Sequence, residues 1–386
     1  MNEKSVATTG PFSLLHQFSD RPGDGRVPYG LLVFEDGFLY GTTTYGGPPY
    51  RKPPKNPDNK GNLFRIDVQG KNFKILHEFT GGANDGWKPW SGLAIKDNMI
   101  YGSSVYGGSY GEKGGVLYEL RTDGRDFHVL HAFGESGDGF GASTSPILAG
   151  QCLYGLTRWG DTSTGMIYRY DIDQKTYRQL HRFGADDGYE PLGTLTAGND
   201  GFLYGLSWHG GTRDLGTLFC LKTDGSFFEV LYHFEGGEQG KYPYDTLAFD
   251  GDHILYGTTL GVYGNDASDL GRIFKYDIAD RKYTVLHTFA GGANDSGKPN
   301  GSVVLPKDGR LLYGTTHGDK VWGGKDYGSL YQMDIDGGGF RLLHEFTGKL
   351  AGDTPMRTPL LIDGALYGMT AYGGEYSYGS IYRYQL

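Results

Sequence analysis

Apolar and polar positions alternate along most of this chain in short runs, and glycine or an Asp-Gly pair punctuates nearly every run. A period of two without a helical stripe predicts β-strands throughout. The runs recur in a fixed order. A proline introduces one apolar run, as in Pro28-Tyr29-Gly30-Leu31-Leu32, Pro89-Trp90-Ser91-Gly92-Leu93 and Pro243-Tyr244-Asp245-Thr246-Leu247. A Leu-Tyr-Gly-Thr-Thr-like run follows, with its tyrosine at 40, 101, 154, 204, 256, 313 and 367. The third run reads Gly-x-apolar-aromatic, with Phe64, Tyr118, Tyr168, Phe219, Phe274, Tyr331 and Tyr382 in the aromatic place. The fourth is Leu-His-x-Phe, at His16, His77, His131, His181, His287 and His344, with Tyr232 standing in once.

The tyrosines lie 50 to 61 residues apart. Turns such as Thr122-Asp123-Gly124 predict that the third and fourth strands pair as hairpins. Each unit is then a four-stranded antiparallel meander that cannot bury both faces alone, and seven such units stack radially into a β-propeller. The order is permuted: Phe12–Phe18 is a fourth-type strand at the start, and Gly379–Leu386 is a third-type strand at the end. Residues 11–18 are therefore expected to complete the last blade beside 379–386. The reading is an all-β, seven-bladed propeller over 11–386 as one domain, with residues 1–10 a disordered N-terminus.

Composition agrees and narrows the function. The 67 Gly and 30 Tyr suit glycine-punctuated aromatic blades. A net charge of −9 and the lack of a long basic run argue against nucleic acid. No stretch is long and apolar enough for a membrane span, and Met1–Gly10 has no signal-like apolar core, so a soluble cytoplasmic protein is expected. Cys152 takes the place that Phe38, Met99 and Phe202 hold in other blades, an ordinary core position. Cys220 replaces Arg65, Glu119 and Lys275, a polar one, and no disulfide joins the two.

The combination of Leu-His-x-Phe, Asp-Gly-x-x-Pro, Leu-Tyr-Gly-Thr-Thr-x-x-Gly-Gly and Gly-x-Leu-Tyr resembles the GloVer tandem-repeat family over essentially the whole chain. Members of that family are often secreted and anchored, whereas this chain shows neither signal nor anchor.

Residues common to all blades build blades, so function is sought where one blade departs from the rest. Six of the 11 His belong to the repeat and read as imidazoles satisfied within the outer strand. Only His209 and His317 of the remainder follow the Leu-Tyr-Gly-Thr-Thr strand. With the proline-led strand innermost, as in kelch-type blades, the loops before it and after the second strand share one face around the channel mouth. All five Trp fall there: Trp87, Trp90, Trp159, Trp208 and Trp322. They predict an aromatic-walled pocket, or a plug of the channel. The third residue after the tyrosine's glycine runs Thr44, Val105, Arg158, Trp208, Leu260, His317, Ala371. Arg158, Trp208 and His317 stand out. On the inner strand, Asp245 and Arg357 replace Gly, Ser or Thr, either as site residues or as an ion pair across the channel. Tyr45, Tyr106, Tyr244 and Tyr372 complete the candidate binding set. Lys88 and Lys298, just before their prolines, read as rim charges. The loops 46–60 and 319–327 exceed the repeat and read as lids or as floppy insertions.

No zinc-spaced cluster, phosphate loop or nucleophile elbow occurs, and the Gly81–Gly86 turn lacks the ligands of an EF-hand, so no metal and no cofactor are expected. Three functions remain. In the first, an aromatic pocket orients apolar, aromatic or terpenoid small molecules while Arg158, His317 or Arg357 hydrogen-bonds a carbonyl oxygen. In size and style, though through no motif, the chain is similar to fungal hetero-Diels-Alderases of tropolonic sesquiterpenoid biosynthesis. That likeness implies a cofactor-independent cyclisation of a tropolone quinone methide with a sesquiterpene alkene. The second is a polysaccharide lyase, with Arg158 or Arg357 neutralising a uronate and His209, His317 or Tyr45 moving the proton. The third is a non-catalytic interaction propeller.

Overall fold

The computed structural model describes residues 10–19, 21, 23–46, 60–160, 164–262, 268–292, 294–307, 309–318, 326–348 and 350–386. The chain forms seven antiparallel blades. The fifth is representative, with strands β1 (Pro243–Phe249), β2 (Ile254–Thr259), β3 (Arg272–Asp277) and β4 (Lys282–Thr288) hydrogen-bonded in that order. Proline-led strands of successive blades pack on one another around the axis, while the Leu-His-x-Phe strands are the most exposed and lie outermost. Phe12–Gln17 pairs with Ser380–Gln385, so the last blade takes its outer strand from the start of the chain. In the first two blades the inner strand is split, into Gly25–Pro28 and Val33–Glu35 and into Gly86–Trp87 and Ala94–Lys96.

The repeated glycine of the second strand faces the third-strand aromatic in every blade, as Gly257 faces Phe274 and Gly314 faces Tyr331. A Cβ there would collide with the ring, so glycine lets a fully buried aromatic lie flat across the neighbouring strand. This explains why Tyr-Gly and Gly-x-apolar-aromatic recur together.

The outer histidines are held by more than their own strand. His16, His77, His131, His181 and His287 each bring Nε2 to within 2.8–3.3 Å of an aspartate in the following loop: Asp24, Asp85, Asp138, Asp187 and Asp295. Asp85 also accepts from the amide and hydroxyl of Thr80 and from the Gly86 amide, so it ties strand, loop and next blade together. Each ring stacks on an aromatic in the outer strand region of the neighbouring blade. His77 lies 3.9 Å from Phe127, and His16 lies 4.0 Å from Phe73, across the closure. Tyr232 on Tyr283 and His344 on Phe12 make the same contact, giving a belt of seven stacks. The last of these rings, His344, has Ala351 at the place of the aspartate, just before Gly352, which matches Gly25 and Gly86.

Both cysteines are buried and free. The polar place read for Cys220 is therefore a correction: it packs in the cluster of Tyr204, Leu247 and Phe274, and burial raises its thiol to about 11. Cys152 is core as expected, and its sulfur also accepts from Arg169 Nε at 3.0 Å.

Candidate functional site

The mouth is built from three sevenfold rings of backbone-equivalent positions. The first ring precedes the inner-strand proline: Val27, Lys88, Gly141, Glu190, Tyr242, Lys298 and Thr354, all left-handed with φ of 51–68°. A residue before proline is normally extended, so six non-glycine residues here hold strain of about 1–3 kcal/mol each. The turn is fixed by its hydrogen bonds. In five blades the carbonyl of this residue accepts an amide from the second ring (Thr44, Val105, Arg158, Trp208, Leu260, His317 and Ala371), as Lys298 does from His317 and Gly141 from Arg158. The second ring is thereby aimed at the axis. The third ring follows the proline, or Ala142 in the third blade: Tyr29, Trp90, Ser143, Leu192, Tyr244, Asn300 and Met356.

All seven of that third ring line one cavity of about 560 Å³, together with Arg158, Trp208, Leu260 and His317 of the second ring, Thr354, Arg357 and Tyr372. Its size is that of a small-molecule pocket.

Arg357 forms its floor, with Asp245 beneath it. Both sit at bulges of their inner strands with φ of 64° and 69°. At the same place the other blades have Gly30, Ser91, Thr144, Gly193 and Gly301, and a Cβ on Gly193 or Gly301 would meet the backbone of the next blade. The left-handed turn lets a longer side chain escape that clash and swing across the channel. Arg357 Nη1 donates to Asp245 Oδ1 at 3.2 Å, bridging the blades on either side of Gly301. The Asp245 carboxylate also accepts from the Thr358 hydroxyl and the Ser302 amide. The guanidinium carbon lies 5.3 and 5.5 Å from the ring centres of Tyr29 and Tyr244, whose hydroxyls are 3.5 Å apart. Burial opposes the charge on Arg357, but Tyr244, Asp245 and Tyr29 outweigh it and hold the group above its ordinary range. The pair also borders a second, tighter pocket beside Ser91, Thr144 and Thr194.

The walls differ from the floor. Arg158 donates to Glu190 at 3.0 Å and lies over the Trp159 ring at 4.7 Å, so Trp159 supports a lining residue without lining the cavity itself. Trp208 meets Tyr244 edge-on at 5.7 Å and stacks on His209 at 5.6 Å, which places His209 behind the wall. His317 is buried with Nδ1 3.0 Å from the Gly318 carbonyl. A carbonyl only accepts, so Nδ1 carries the proton and the neutral ring presents Nε2 as an acceptor. Burial, aided by Lys298, lowers its pKa to about 4, so it is uncharged at neutral pH.

Of the residues anticipated from sequence, Arg158, His317, Arg357, Trp90, Trp208, Tyr244 and Tyr372 meet at the cavity, with Asp245 under its floor. Tyr45 and Tyr106 lie farther out, around the Lys88 ammonium. Trp322, and most of the loops 46–60 and 319–327, fall outside the described residues, as do residues 1–9. Tyr29, Leu192, Asn300 and Met356 were not singled out although each follows a repeat proline, nor was Ser143, which follows Ala142 at the same place. Among the described residues no group of three or more His, Cys, Asp or Glu is arranged to hold a metal ion, and no helix is long and apolar enough to cross a membrane.

Fold and mouth together define a four-stranded-blade propeller with a pocket at the mouth of its central channel. The chain belongs to the Gloeobacter/Verrucomicrobia repeat family, which it matches over residues 55–267 and 261–386. No curated protein matches its sequence. Among solved structures, an oligogalacturonate lyase in complex with manganese superposes with a TM-score of 0.60 at 13% identity, covering 100% of this chain and 95% of that one. The GH74 xyloglucanase of Xanthomonas campestris gives 0.61 at 15%, covering 92% and 52%. The oligogalacturonate lyase of Vibrio parahaemolyticus gives 0.55 at 12%, covering 99% and 95%. At such identities the likeness is one of fold.

Proposed function

We propose that the mouth cavity is the active site of a cofactor-independent small-molecule enzyme. The reaction that suits it best is a hetero-Diels-Alder cyclisation of a tropolone quinone methide with a sesquiterpene alkene. One observation carries the reading: a guanidinium locked by Asp245 and flanked by Tyr29 and Tyr244 forms the floor of an aromatic and apolar cavity. A cycloaddition forms two σ bonds and loses no atom, so it needs no acid, base or nucleophile. It needs two apolar partners held together and a donor for the carbonyl oxygen of the heterodiene, which becomes electron-rich in the transition state. Trp90, Trp208 and Leu192 serve the first requirement and Arg357 the second. A neutral His317 fits a site that must not protonate its substrate.

A β-eliminating polysaccharide lyase is the second reading, favoured by His317 and the Tyr29–Tyr244 hydroxyl pair as proton carriers. It is weakened because Arg158 and Arg357 are both already paired with carboxylates, which leaves them less charge for a uronate.

The test is product formation, followed by chromatography and mass spectrometry, from a quinone-methide precursor and a sesquiterpene alkene. Arg357→Met is expected to slow the enzyme by about 10²-fold, the usual loss for one preorganised donor. A rate no higher than the uncatalysed background sinks the cyclase reading, and an unsaturated product from oligogalacturonate establishes the lyase.

A further inference from the structure

The cations around the mouth are not equivalent. Arg158 is paired with Glu190 and Arg357 with Asp245. Lys88 is held differently: its ammonium lies 5.3 Å from the ring centre of Trp87, 5.2 Å from Tyr106, 5.9 Å from Trp90 and 6.0 Å from Tyr45. Glu112 acts on it only at longer range, and among the described residues no carboxylate is ion-paired with it. Its backbone is pinned in the left-handed turn, with its amide donating to Lys60 and its carbonyl accepting from Val105. Aromatic faces hold an ammonium in place without neutralising it. The position is therefore a fixed, charged and uncompensated group beside Trp90, which lines the cavity.

We propose that Lys88 is the anion-accepting residue of the mouth, taking a carboxylate or enolate oxygen of a small molecule whose apolar body lies against Trp90. The inference rests on the cavity being a small-molecule site, and it specifies the ligand: one acidic oxygen at the edge of a flat apolar frame. Arg158 and Arg357 cannot take that role without giving up a carboxylate they already hold.

A matched pair of probes tests it, 2-naphthoate and the uncharged 2-naphthalenemethanol, titrated calorimetrically at neutral pH. The wild-type chain is expected to bind the carboxylate about tenfold more tightly, the order of one charge-assisted hydrogen bond. Lys88→Met is expected to erase that ratio and leave the alcohol's affinity within about twofold, while Lys88→Arg retains the preference. Lys60→Met removes a charge beside the same Trp87 ring, from a lysine already bonded to the Thr80 carbonyl, and is expected to leave the ratio alone. The proposal is overturned by a ratio that survives Lys88→Met, by a wild type that does not prefer the acid, or by no binding of either probe at millimolar concentration. Trp208→Ala separates this from the cavity reading. Loss of both probes supports a site in the mouth. Unchanged binding of both overturns the cavity as their place, while the Lys88 ratio still decides the anion site.

Discussion

The outer belt and the mouth are made from the same seven repeats and use them in opposite ways. In the belt, equivalent positions carry nearly the same residue and make the same contact: a ring stacked on the neighbouring blade, in five blades with an aspartate beneath it. In the mouth, the ring before the proline shares a left-handed backbone, φ of 51–68°, but not a side chain. The ring after the proline holds two tyrosines, a tryptophan, a serine, a leucine, an asparagine and a methionine. Repetition that stabilises an interface must be uniform, because every interface needs it. A cavity on the sevenfold axis is seen by the ligand from all sides at once, so its specificity comes from breaking the symmetry.

The strongest break in that contrast is at Arg357, where mouth residues also serve stability. Arg357→Ala leaves the Asp245 carboxylate, 1% exposed, without its cation, and is expected to cost about 3–5 kcal/mol in denaturant unfolding. The double variant Arg357→Met with Asp245→Asn is expected to recover much of that stability and none of the activity. Next comes the belt: His77→Ala removes the Asp85 bond and the Phe127 stack and should cost about 1–3 kcal/mol, with ligand binding in the mouth unchanged. If binding moved with it, the two regions would not be separable.

Acid sharpens the comparison more gently. Burial keeps His317 neutral down to about pH 4 in the folded chain, against 6.5 when unfolded. Its contribution to stability is complete above pH 6.5 and is lost as the pH falls from 6.5 through 4. His344, the belt histidine without an aspartate, shares that window. Asp24 and Asp85 behave otherwise: burial alone would raise them, but bonds from His16 and His77 lower them below 3.8. Their contributions hold above pH 3.8 and disappear as the pH falls through the lower folded values. Unfolding measured across pH should therefore show His317→Gln flattening the upper window and Asp85→Asn the lower one. The smallest effect on stability is expected at Trp208→Phe, under about 1 kcal/mol for a partly exposed ring, with affinity in the mouth weakened nonetheless.

The blade count, the strand order and the closure by Phe12–Gln17 were legible in the sequence, because each blade repeats the same local signals and the permutation shows at both ends. Arg158, Trp208, His317, Asp245 and Arg357 could be found by subtracting the repeat. Their partners could not. Glu190 pairs with Arg158 from the next blade, and Asp245 reaches Arg357 across Gly301, contacts that depend on how blades are placed around the axis. The bonds from the belt histidines to their aspartates went unread although both residues recur, because strand and loop face each other only once the blade is folded. The sequence by itself determined a sevenfold β-propeller and where its repeats differ, since alternation, proline and glycine act through neighbours along the chain. Which of the differing residues share a cavity and which cations are paired with a carboxylate was decided only by the tertiary structure, where residues more than a hundred positions apart meet on one axis.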